Sequence, residues 1–401
     1  MKIVHIIDRF YAQAGYLINI IAKYEVREGH EVTIISSDTD FWDAEKKEFW
    51  DAAHVRERDS WYEHETGCKI IRYPAYAKIA TRVFYKHGLF RYVDSLQPDV
   101  LFIHSESSYC SLLYLLRIRK LRFPIVLGSH MMDIAAVSKF RNIFYFLYQR
   151  TFAKIIEKND VLVIRTQDDD YAMRRLGIPE ALAPLISFGS DLDIFHPNLD
   201  ARRAMRAKLM IDENDFVAIV TGKLNKFKGG ELLARTFIKK FDERKNVVLI
   251  TVGTVTDDEY GNMVKQTFDL SENRILRIPT QDYRDLAQYY QCADLSLFAR
   301  ECSLSFYDAQ ACGLPVVLED NELNIKRVAY HNGLTFKSGD VENFRTKIRY
   351  FIDLPEEQYR EYALSAIQMV RENYDYRDIS LQYTALLQES ANRFREKKGW
   401  T

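Results

Sequence analysis

The chain has 401 residues, of which 47% are hydrophobic, so it is long enough to form two domains with their own cores. Its 56 Lys and Arg residues balance its 57 Asp and Glu residues, and this argues against nucleic-acid binding through a general basic field. The five cysteines include no Cys-x-x-Cys pair, which disfavours zinc and dithiol redox sites. No apolar stretch reaches the ~20 residues of a membrane span, and the N-terminus lacks a signal-peptide pattern. We therefore expect a soluble, cytoplasmic protein.

Short apolar segments alternate with longer amphipathic segments along the first half of the chain. In chain order, we predict a strand at KIVHII, a helix over 15–27, strands at EVTIIS and DVLFIH, and an apolar helix around 112–118. The series continues with predicted strands at PIVLGSH, DVLVIR and ALAPLIS. Continuous apolar strands separated by helices indicate a parallel sheet that is covered on both faces.

The alternation restarts after a charged connector near Pro197. Its predicted strands are VAIVTG, NVVLITVG, RILRIP, DLSLFA and LPVVLED. We therefore predict an N-terminal domain over 1–196, a C-terminal domain over 197–378, and a final helix over 379–401 that packs back on the first domain. Doubly wound sheets bind ligands at the carboxyl ends of their strands, so we expect a central cleft.

The segment TGKLNKFKGG, residues 221–230, combines lysines and glycines where a predicted strand ends. Gly222 ends the strand, Lys223 and Lys228 lie on the loop, and Gly229 opens the next helix. Two ammonium groups suit a diphosphate, because each hydrogen bond to a charged group contributes about 1.5–3 kcal/mol. A solvated charged loop would have the same composition, so the lysines alone leave both interpretations open.

The segment ARECSLSFYDAQACGLPVVLED, residues 299–320, places a polar loop between a strand and a helix. The small residues Cys302, Ser303 and Ser305 at the helix entry would leave backbone N–H groups accessible to phosphate, and we predict that Ser303, Leu304 and Ser305 bind the donor. Glu301 and Asp308 could accept hydrogen bonds from sugar and ribose hydroxyls. The same carboxylates could instead interact with the helix dipole or cap the helix.

These two segments carry a resemblance. TGKLNKFKGG is similar to the Gly-Arg-Leu…Lys-Gly loop of the family-four retaining glycosyltransferases, and DAQACGLPVV resembles their Glu-Ala-Met-Ala-Cys-Gly-Leu-Pro-Val-Val segment. The resemblance covers most of 218–344 and weakens over 1–200, where REGHEVTIIS and SFGSDLDIFHP still follow the family's framework. It implies the GT-B fold, an α/β architecture of two Rossmann-like, doubly wound parallel-sheet domains that face a central cleft.

The resemblance also implies an activity. It is the metal-independent transfer of a sugar, with retention of configuration, from a UDP-sugar or GDP-sugar to a hydroxyl of a glycan or lipid-linked acceptor. The nucleotide-sugar is a substrate, so no cofactor is expected. The base, the sugar, the acceptor and the oligomeric state do not follow from the sequence.

The family pattern implies roles for individual residues. Lys223 and Lys228 would bind the donor diphosphate and stabilise the leaving nucleotide. Asp308 would hold the ribose hydroxyls, and Glu301 is nearest to the position of the acid beside the donor sugar. Six residues separate Glu301 from Asp308, whereas seven separate the family's two glutamates, so the family spacing falls on Arg300.

Candidates in the N-terminal half are fewer. Gly15 is the one glycine left of the family's usual pair after the first strand, where the backbone would approach the sugar-phosphate; it could equally mark a helix N-terminus. His130 follows a strand at the place where the family often has a histidine that faces the donor sugar, although a structural histidine is equally compatible. His104, Glu106 and Asp133 are weaker candidates.

Two acidic clusters, residues 168–170 and 257–259, resemble metal ligands. Each directly precedes a predicted helix, so we assign both to helix N-terminal charge and predict no essential metal. No Gly-x-Gly-x-x-Gly motif follows the first strand, which argues against a nicotinamide dehydrogenase.

Two segments rich in aromatic and basic residues, 139–158 and 76–92, are predicted helices. Such helices could rest peripherally on the anionic inner face of a membrane, which would suit a lipid-linked acceptor. Core helices whose Lys and Arg side chains reach the solvent fit the same pattern, and we favour that interpretation.

Two other functions remain open. One is a sugar-nucleotide epimerase of the same fold, although the Lys-Lys-Gly loop favours transfer. The other is a pseudoenzyme or partner subunit that binds a nucleotide-sugar without turnover, which the altered acidic pair keeps open.

Overall fold

The computed structural model describes residues 1–39, 54–79, 82–130, 141–167, 169–241, 245–300 and 302–399. The chain divides into two compact units. The first contains Met1–Phe188 and Tyr376–Thr401, and the second contains Gly189–Asp375.

The first unit is built on a parallel sheet whose core strands are almost fully buried. Its strands are β1 (Lys2–Ile6), β2 (Glu31–Ser37), β3 (Lys69–Tyr73), β4 (Ala75–Ile79), β5 (Arg82–Tyr85), β6 (Val100–Ile103), β7 (Ile125–Ser129) and β8 (Val163–Arg165). Six of them form the sheet in the order β3-β2-β1-β6-β7-β8, and β4 and β5 form a separate antiparallel hairpin. The strand order reverses between β1 and β6, which is where doubly wound sheets bind ligands.

The helices of this unit are α1 (Leu17–Arg27), α2 (Val55–Thr66), α3 (Leu89–Leu96), α4 (Tyr109–Leu116), α5 (Arg141–Arg150) and α6 (Phe152–Asn159). Short 3-10 turns lie at Ile118–Lys120 and Glu180–Leu182, and one π-helical turn lies at Tyr171–Arg175.

The predicted strand at ALAPLIS, residues 181–187, is wrong. Within it, Leu185 forms only an isolated bridge with Arg165. Pro184 accepts the Arg165 amide at 2.8 Å but has no N–H of its own, so a second ladder cannot continue through it.

The predicted helix over 76–92 is also wrong. The segment contains most of the β4–β5 hairpin and the start of α3. In β5, Val83 and Tyr85 are buried whereas Phe84 is half-buried. This alternation has the period of a strand, and aromatic and β-branched side chains favour it.

The second unit repeats the arrangement. Its strands are β9 (Phe216–Thr221), β10 (Val247–Val252), β11 (Arg274–Ile278), β12 (Leu295–Phe298), β13 (Val316–Glu319) and β14 (Gly333–Phe336), in the order β11-β10-β9-β12-β13-β14. Its helices are α7 (Leu199–Lys208), α8 (Gly230–Thr236), α9 (Glu259–Asp269), α10 (Tyr283–Cys292), α11 (Ser305–Ala311), α12 (Glu322–Arg327), α13 (Val341–Asp353) and α14 (Glu356–Asn373). Both sheets are parallel, so the predicted pair of doubly wound α/β domains is confirmed.

The second unit begins at Gly189, earlier than the boundary predicted near Pro197. Ser190 belongs to this unit because its amide donates to the Tyr374 carbonyl at 2.9 Å and its hydroxyl donates to Asp308 at 2.7 Å. These bonds join chain segments far apart in sequence, which hydrophobic patterning does not reveal.

The last helix, α15 (Tyr376–Lys398), returns to the first unit. It lies against α1 and β6, and the Ser380 hydroxyl donates to the Ile21 carbonyl at 3.3 Å. Among the residues that the structure describes, no helix is long and apolar enough to cross a bilayer.

Candidate functional site

Glycines shape the carboxyl ends of β9 and β10. The Gly222 amide donates to the Val252 carbonyl at 2.8 Å, and Gly222 has φ 105°. A Cβ built on Gly253 would lie only 2.4 Å from the Gly222 oxygen, so the two chains can approach here only with glycine at 253.

The glycine expected to open a helix does so. Gly229 has φ 74° and immediately precedes α8. A Cβ on it would lie 3.0 Å from Arg300 Cγ and 3.1 Å from Ala299 Cβ, because the loop packs against the end of β12. Arg300 also donates from Nη1 to the Lys226 carbonyl at 3.4 Å. Arg300, on which the family spacing falls, therefore lies against the lysine loop.

Asn225 and Tyr260 organise the same loop, and sequence reasoning missed both. The Lys228 amide donates to Asn225 Oδ1 at 2.9 Å, and the Gly230 amide donates to the Asn225 carbonyl at 3.2 Å. The Tyr260 hydroxyl accepts the Glu231 amide at 2.9 Å. The local Asn side-chain bond was readable from the sequence as a turn signal, whereas the Tyr260 contact was not.

Lys223 and Lys228 are both half-buried on this loop. The Gly261 amide and the Thr256 hydroxyl lower the pKa of Asp258, and the positive charge of Lys223 adds to that effect. Asp258 caps α9, as expected for the 257–259 cluster. The predicted loop geometry is present, and the role of the two lysines as diphosphate ligands stays a prediction.

Asp308 is buried in the first turn of α11. Its Oδ1 accepts the Ser190 hydroxyl at 2.7 Å and the Tyr283 hydroxyl at 3.2 Å. Burial nevertheless raises the pKa of Asp308 from 3.8 to about 7, against the opposing effect of both hydroxyls. Asp308 is therefore a partly protonated hydrogen-bonding group at neutral pH rather than an exposed helix-dipole partner.

The predicted phosphate-binding turn lies directly before Asp308. Ser303 and Ser305 bond to each other through their hydroxyls at 2.6 Å, and Leu304 is the residue before α11. Glu301 lies outside the described residues. The donor-binding roles of Ser303, Leu304 and Ser305 and the catalytic role of Glu301 stay predictions.

Two buried amide side chains, those of Gln310 and Asn332, lie at the C-terminal end of α11. Gln310 Nε2 donates to the Leu314 carbonyl at 2.7 Å and to the Asn332 carbonyl at 3.1 Å. Both amide side chains are fully buried. They fix the Cys-Gly-Leu-Pro turn relative to β14, and with it the placement of Asp308.

In the first unit, Gly15 and His130 lie near the carboxyl ends of β1 and β7. Gly15 is half-buried, and α1 begins two residues later than the predicted helix, at Leu17. His130 Nδ1 lies 3.2 Å from Thr166 Oγ1. Burial lowers the pKa of His130 to about 4, so its imidazole is neutral at pH 7. A Cβ on Gly128 would lie 3.0 Å from His130 Nε2, so this glycine makes room for the ring.

Two carboxyl groups at the same sheet edge titrate near neutrality. Burial raises the pKa of Glu106 to about 7 and that of Asp8 to about 6, although the charge of Arg82 opposes both shifts. Glu106 Oε1 is buried and has no hydrogen-bond partner. Perturbed carboxyls of this kind are typical of functional sites. The candidate Asp133 lies outside the described residues.

The structure describes two of the three residues of the acidic cluster 168–170. Asp169 accepts the Tyr171 amide at 3.3 Å and Asp170 pairs with Arg174 at 2.9 Å, which fits the expected helix N-terminal role; Asp168 lies outside the described residues. Within the described ranges, no group of three or more His, Cys, Asp or Glu side chains is arranged to hold a metal ion.

The helix α5 is only partly the core helix that we favoured. Tyr145 and Tyr148 are buried, but Ile143, Phe146 and Leu147 are 62%, 51% and 54% exposed. The three exposed side chains are spaced i, i+3 and i+4, so they share one helix face. One face of α5 packs inward and the other carries large apolar groups.

Comparison with known proteins supplies family models for both units. A model described as "Glycosyltransferase Family 4" matches residues 15–194, and one described as "Glycosyl transferases group 1" matches residues 215–353. The chain is 28% identical over 171 residues to the D-inositol 3-phosphate glycosyltransferase of Mycobacterium sp. (strain KMS), covering 41% of this chain and 38% of that protein. It is 27% identical over 214 residues to D-inositol 3-phosphate glycosyltransferase 1 of Catenulispora acidiphila, covering 50% and 51%. The chain therefore matches about half or less of the length of these relatives.

Solved structures share the fold over nearly the whole chain. A glycosyltransferase from Rickettsia africae has a TM-score of 0.72 at 15% identity and covers 97% of this chain and 98% of its own. HepE of Anabaena in complex with UDP has a TM-score of 0.70 at 18% identity, covering 97% and 100%. The same protein with UDP-glucose scores 0.68 with the same identity and coverage. These likenesses confirm the predicted GT-B fold.

Proposed function

The chain belongs to the family-four glycosyltransferases, and from that premise we propose that it transfers a sugar from a nucleotide-diphosphate donor to a hydroxyl acceptor. The observation that carries the proposal is the match of the two family models, one to each parallel-sheet unit. The glycine-shaped loop of the second unit supports it, because the loop follows the carboxyl end of β9 and carries two lysines, a charge that suits a diphosphate.

The proposed chemistry is electrostatic. As the bond between sugar and phosphate breaks, negative charge grows on the leaving diphosphate, and pre-positioned ammonium groups stabilise that charge. Lys223 and Lys228 would do this without a metal ion. Asp308 would accept hydroxyl hydrogen bonds from the ribose, with Ser190 and Tyr283 fixing its carboxyl group. We further propose transfer with retention, to a glycan or lipid-linked acceptor.

Titration calorimetry followed by a turnover assay tests this function. UDP-glucose is the first probe, because HepE was solved with it, and GDP-mannose is the second. We expect one of the donors to bind and to be consumed, with EDTA leaving both results unchanged because the lysines carry the charge. Binding without turnover or hydrolysis would favour the pseudoenzyme, and failure of all nucleotide-sugars to bind would refute sugar transfer.

We also propose that α5 rests on an anionic membrane surface, as a lipid-linked acceptor would require. Its exposed apolar face lies between Arg141 and Arg150, and the Arg150 guanidinium lies 3.5 Å from the centre of the Phe146 ring. Exposed Lys154 and Lys158 follow on α6, with Glu157 as an opposing charge. Exposed apolar side chains with basic residues nearby are typical of helices that bind the surface of an anionic bilayer.

A further inference from the structure

Strand β5 is hydrogen-bonded to the chain segments that follow β1 and β6. The Val83 amide donates to Asp8 Oδ2 at 3.2 Å, just beyond the end of β1. Arg82 Nε donates to the Ser107 carbonyl at 2.7 Å, on the loop between β6 and α4. The strand order of the first sheet reverses between β1 and β6. Strand β5 therefore lies beside the place where a doubly wound sheet binds ligands.

These contacts bring together three ionisable side chains, those of Asp8, Arg82 and Glu106. Burial raises the pKa of both carboxyl groups, and the positive charge of Arg82 opposes the shift in each. Asp8 and Arg82 are half-buried and so remain partly accessible, whereas Glu106 is 1% exposed. The cluster combines hydrogen-bond acceptors on the carboxyl groups with donors on the guanidinium.

Helix α5 contacts the same cluster. The Tyr148 hydroxyl donates to the Glu106 carbonyl at 3.0 Å, and the Arg82 guanidinium lies 5.0 Å from the centre of the Phe144 ring. Phe144 and Tyr148 are spaced i, i+4 and share one face of the helix. The cluster and the proposed membrane-contacting side chains therefore belong to the same helix, which would suit the sugar of a lipid-linked acceptor.

Glu106 has a carboxyl oxygen that the described fold leaves unused. Its Oε1 is buried and has no hydrogen-bond partner among the described residues. A buried polar atom without a partner costs free energy, so its presence calls for an explanation. Burial raises the pKa of Glu106 to about 7, so the group is about half ionised at neutral pH. A ligand hydroxyl can donate to the ionised carboxyl group and accept from the protonated one, and it suits both states.

A phosphate group fits the cluster less well. Arg9 and Arg82, whose charges both act on Asp8, would attract it. A phosphate dianion, however, has no proton to donate to an ionised carboxyl group. It would also place its negative charge beside the carboxyl groups of Asp8 and Glu106. The chemistry of the cluster therefore favours hydroxyl groups without a phosphate.

We propose that Asp8, Arg82 and Glu106 bind neighbouring hydroxyl groups of an unphosphorylated sugar or cyclitol. The carboxyl groups bond to the hydroxyl hydrogens, and the guanidinium donates to the hydroxyl oxygens. The proposed sugar transfer makes this ligand the acceptor, so the ligand's role rests on the proposed function, whereas its binding does not.

Saturation-transfer NMR with neutral probes tests the site. The probes are the methyl α-glycosides of glucose, galactose and mannose, together with myo-inositol, and each is compared with its monophosphate. The full chain is measured with and without UDP. We expect at least one neutral probe to bind, and its monophosphate to bind about tenfold more weakly or less, because of charge repulsion. Absence of binding by every neutral probe, or tighter binding by the monophosphates, overturns the proposal.

Asp8→Asn combined with Arg82→Gln removes both charges at half-buried positions. Loss of hydrogen bonds to charged groups should weaken binding of the neutral probe by about tenfold or more. Arg91→Gln combined with Asp94→Asn, at exposed positions on α3 of the same unit, is the matched control and should bind like the wild type. Equal affinity of the first double variant and the wild type overturns the proposal. If circular dichroism shows that this variant does not fold, Asp8→Asn alone, which keeps an oxygen for the Val83 amide, takes its place.

UDP-glucose separates this proposal from the proposed function. If the neutral probes bind and the Asp8 and Arg82 substitutions weaken that binding, the site stands even where no nucleotide-sugar binds and sugar transfer is refuted. If UDP-glucose is bound and consumed but the substitutions leave probe binding unchanged, sugar transfer stands and the site is refuted.

Discussion

At the scale of single residues, the lysine loop gives the most direct test of the proposed chemistry. Lys228→Ala removes one ammonium group from a loop whose backbone is held by Asn225. Loss of one electrostatic donor to a leaving group costs about 10²–10³ in rate. We therefore expect kcat for the consumed nucleotide-sugar to fall by that factor, measured under saturating donor.

Lys226→Ala is the matched control for this substitution. Lys226 is exposed on the same loop, and its backbone carbonyl, which the substitution keeps, accepts from Arg300. Turnover should stay within about twofold of the wild type. Equal rates for Lys228→Ala and the wild type, or equal losses for both variants, would remove Lys228 from the diphosphate site.

Asp308 gives a prediction about pH. In the folded chain its pKa is raised to about 7, whereas in the unfolded chain the carboxyl ionises near 3.8. At a pH between 3.8 and about 7, unfolding therefore releases a proton from Asp308. The carboxyl stabilises the folded state at low pH, and this stabilisation is lost as the pH rises through about 7. Asp308→Asn keeps an oxygen for Ser190 and Tyr283 but cannot ionise.

The difference in unfolding free energy between wild type and Asp308→Asn should therefore shift by about 3 kcal/mol in favour of the variant between pH 5 and pH 8. Urea unfolding at several pH values measures it. Asp285→Asn, at an exposed position on α10, gives the comparison for loss of a surface carboxyl. A constant difference between wild type and Asp308→Asn across this range would show that Asp308 does not retain its proton.

Sequence motifs selected the candidate site residues, but not the residues that contact them in the structure. The glycines, the lysines and Asp308 follow strands or open helices, so local spacing places them. Ser190 and Tyr283 reach Asp308 from other parts of the chain, and Arg82 on β5 contacts Ser107 beside Glu106. Such contacts depend on the register of packed elements, which one sequence does not encode in any local pattern.

At the scale of elements, the predictable strands are those that are buried on both faces. Residues 3–6 of β1 and all of β6, β9, β10 and β12 are buried or nearly so and read as continuous apolar runs. The edge strands β3 and β14 contain half-buried positions, and β5 alternates between half-buried and buried residues, so the sequence analysis did not predict these three strands. A weak apolar pattern hid β3 and β14, whereas β5 was missed because its apolar residues have a period of two.

The helix α5 carries the prediction for membrane contact. Phe146→Ser combined with Leu147→Ser removes half-exposed apolar groups without disturbing the buried Tyr145 and Tyr148. Each apolar side chain that enters an interface contributes in proportion to its buried area. We expect the wild type to sediment with phosphatidylglycerol vesicles, and the double variant to lose at least tenfold in vesicle affinity.

Leu323→Ser combined with Ile325→Ser provides the control for α5. These side chains are 40% and 55% exposed on α12 of the second unit. Their removal should leave vesicle binding unchanged. Absence of wild-type binding to anionic vesicles, or equal loss in both double variants, would refute a membrane contact through α5.

At the scale of the whole molecule, the first unit contains both the beginning and the end of the chain. The final helix α15 follows the entire second unit in sequence yet packs on α1 and β6. Tyr383 on α15 contacts Phe102 of β6 with ring centroids 5.8 Å apart, and both rings are fully buried. The sequence analysis expected a final helix that packs back on the first domain, and the contacts of α15 show that it packs on α1 and β6. The stability of the first unit therefore depends on residues beyond Asp375.

Leu387→Ala tests this dependence. Leu387 is fully buried on α15, and truncating a buried leucine costs about 2–5 kcal/mol. Because α15 belongs to the first unit, hydrogen exchange should accelerate in α1 and β6 while the amides of 189–375 keep their protection. Leu381→Ala, at a half-exposed position on the same helix, should change neither region. Equal loss of protection in both units would show that they unfold together, and no loss in either would show that α15 contributes little to the first core.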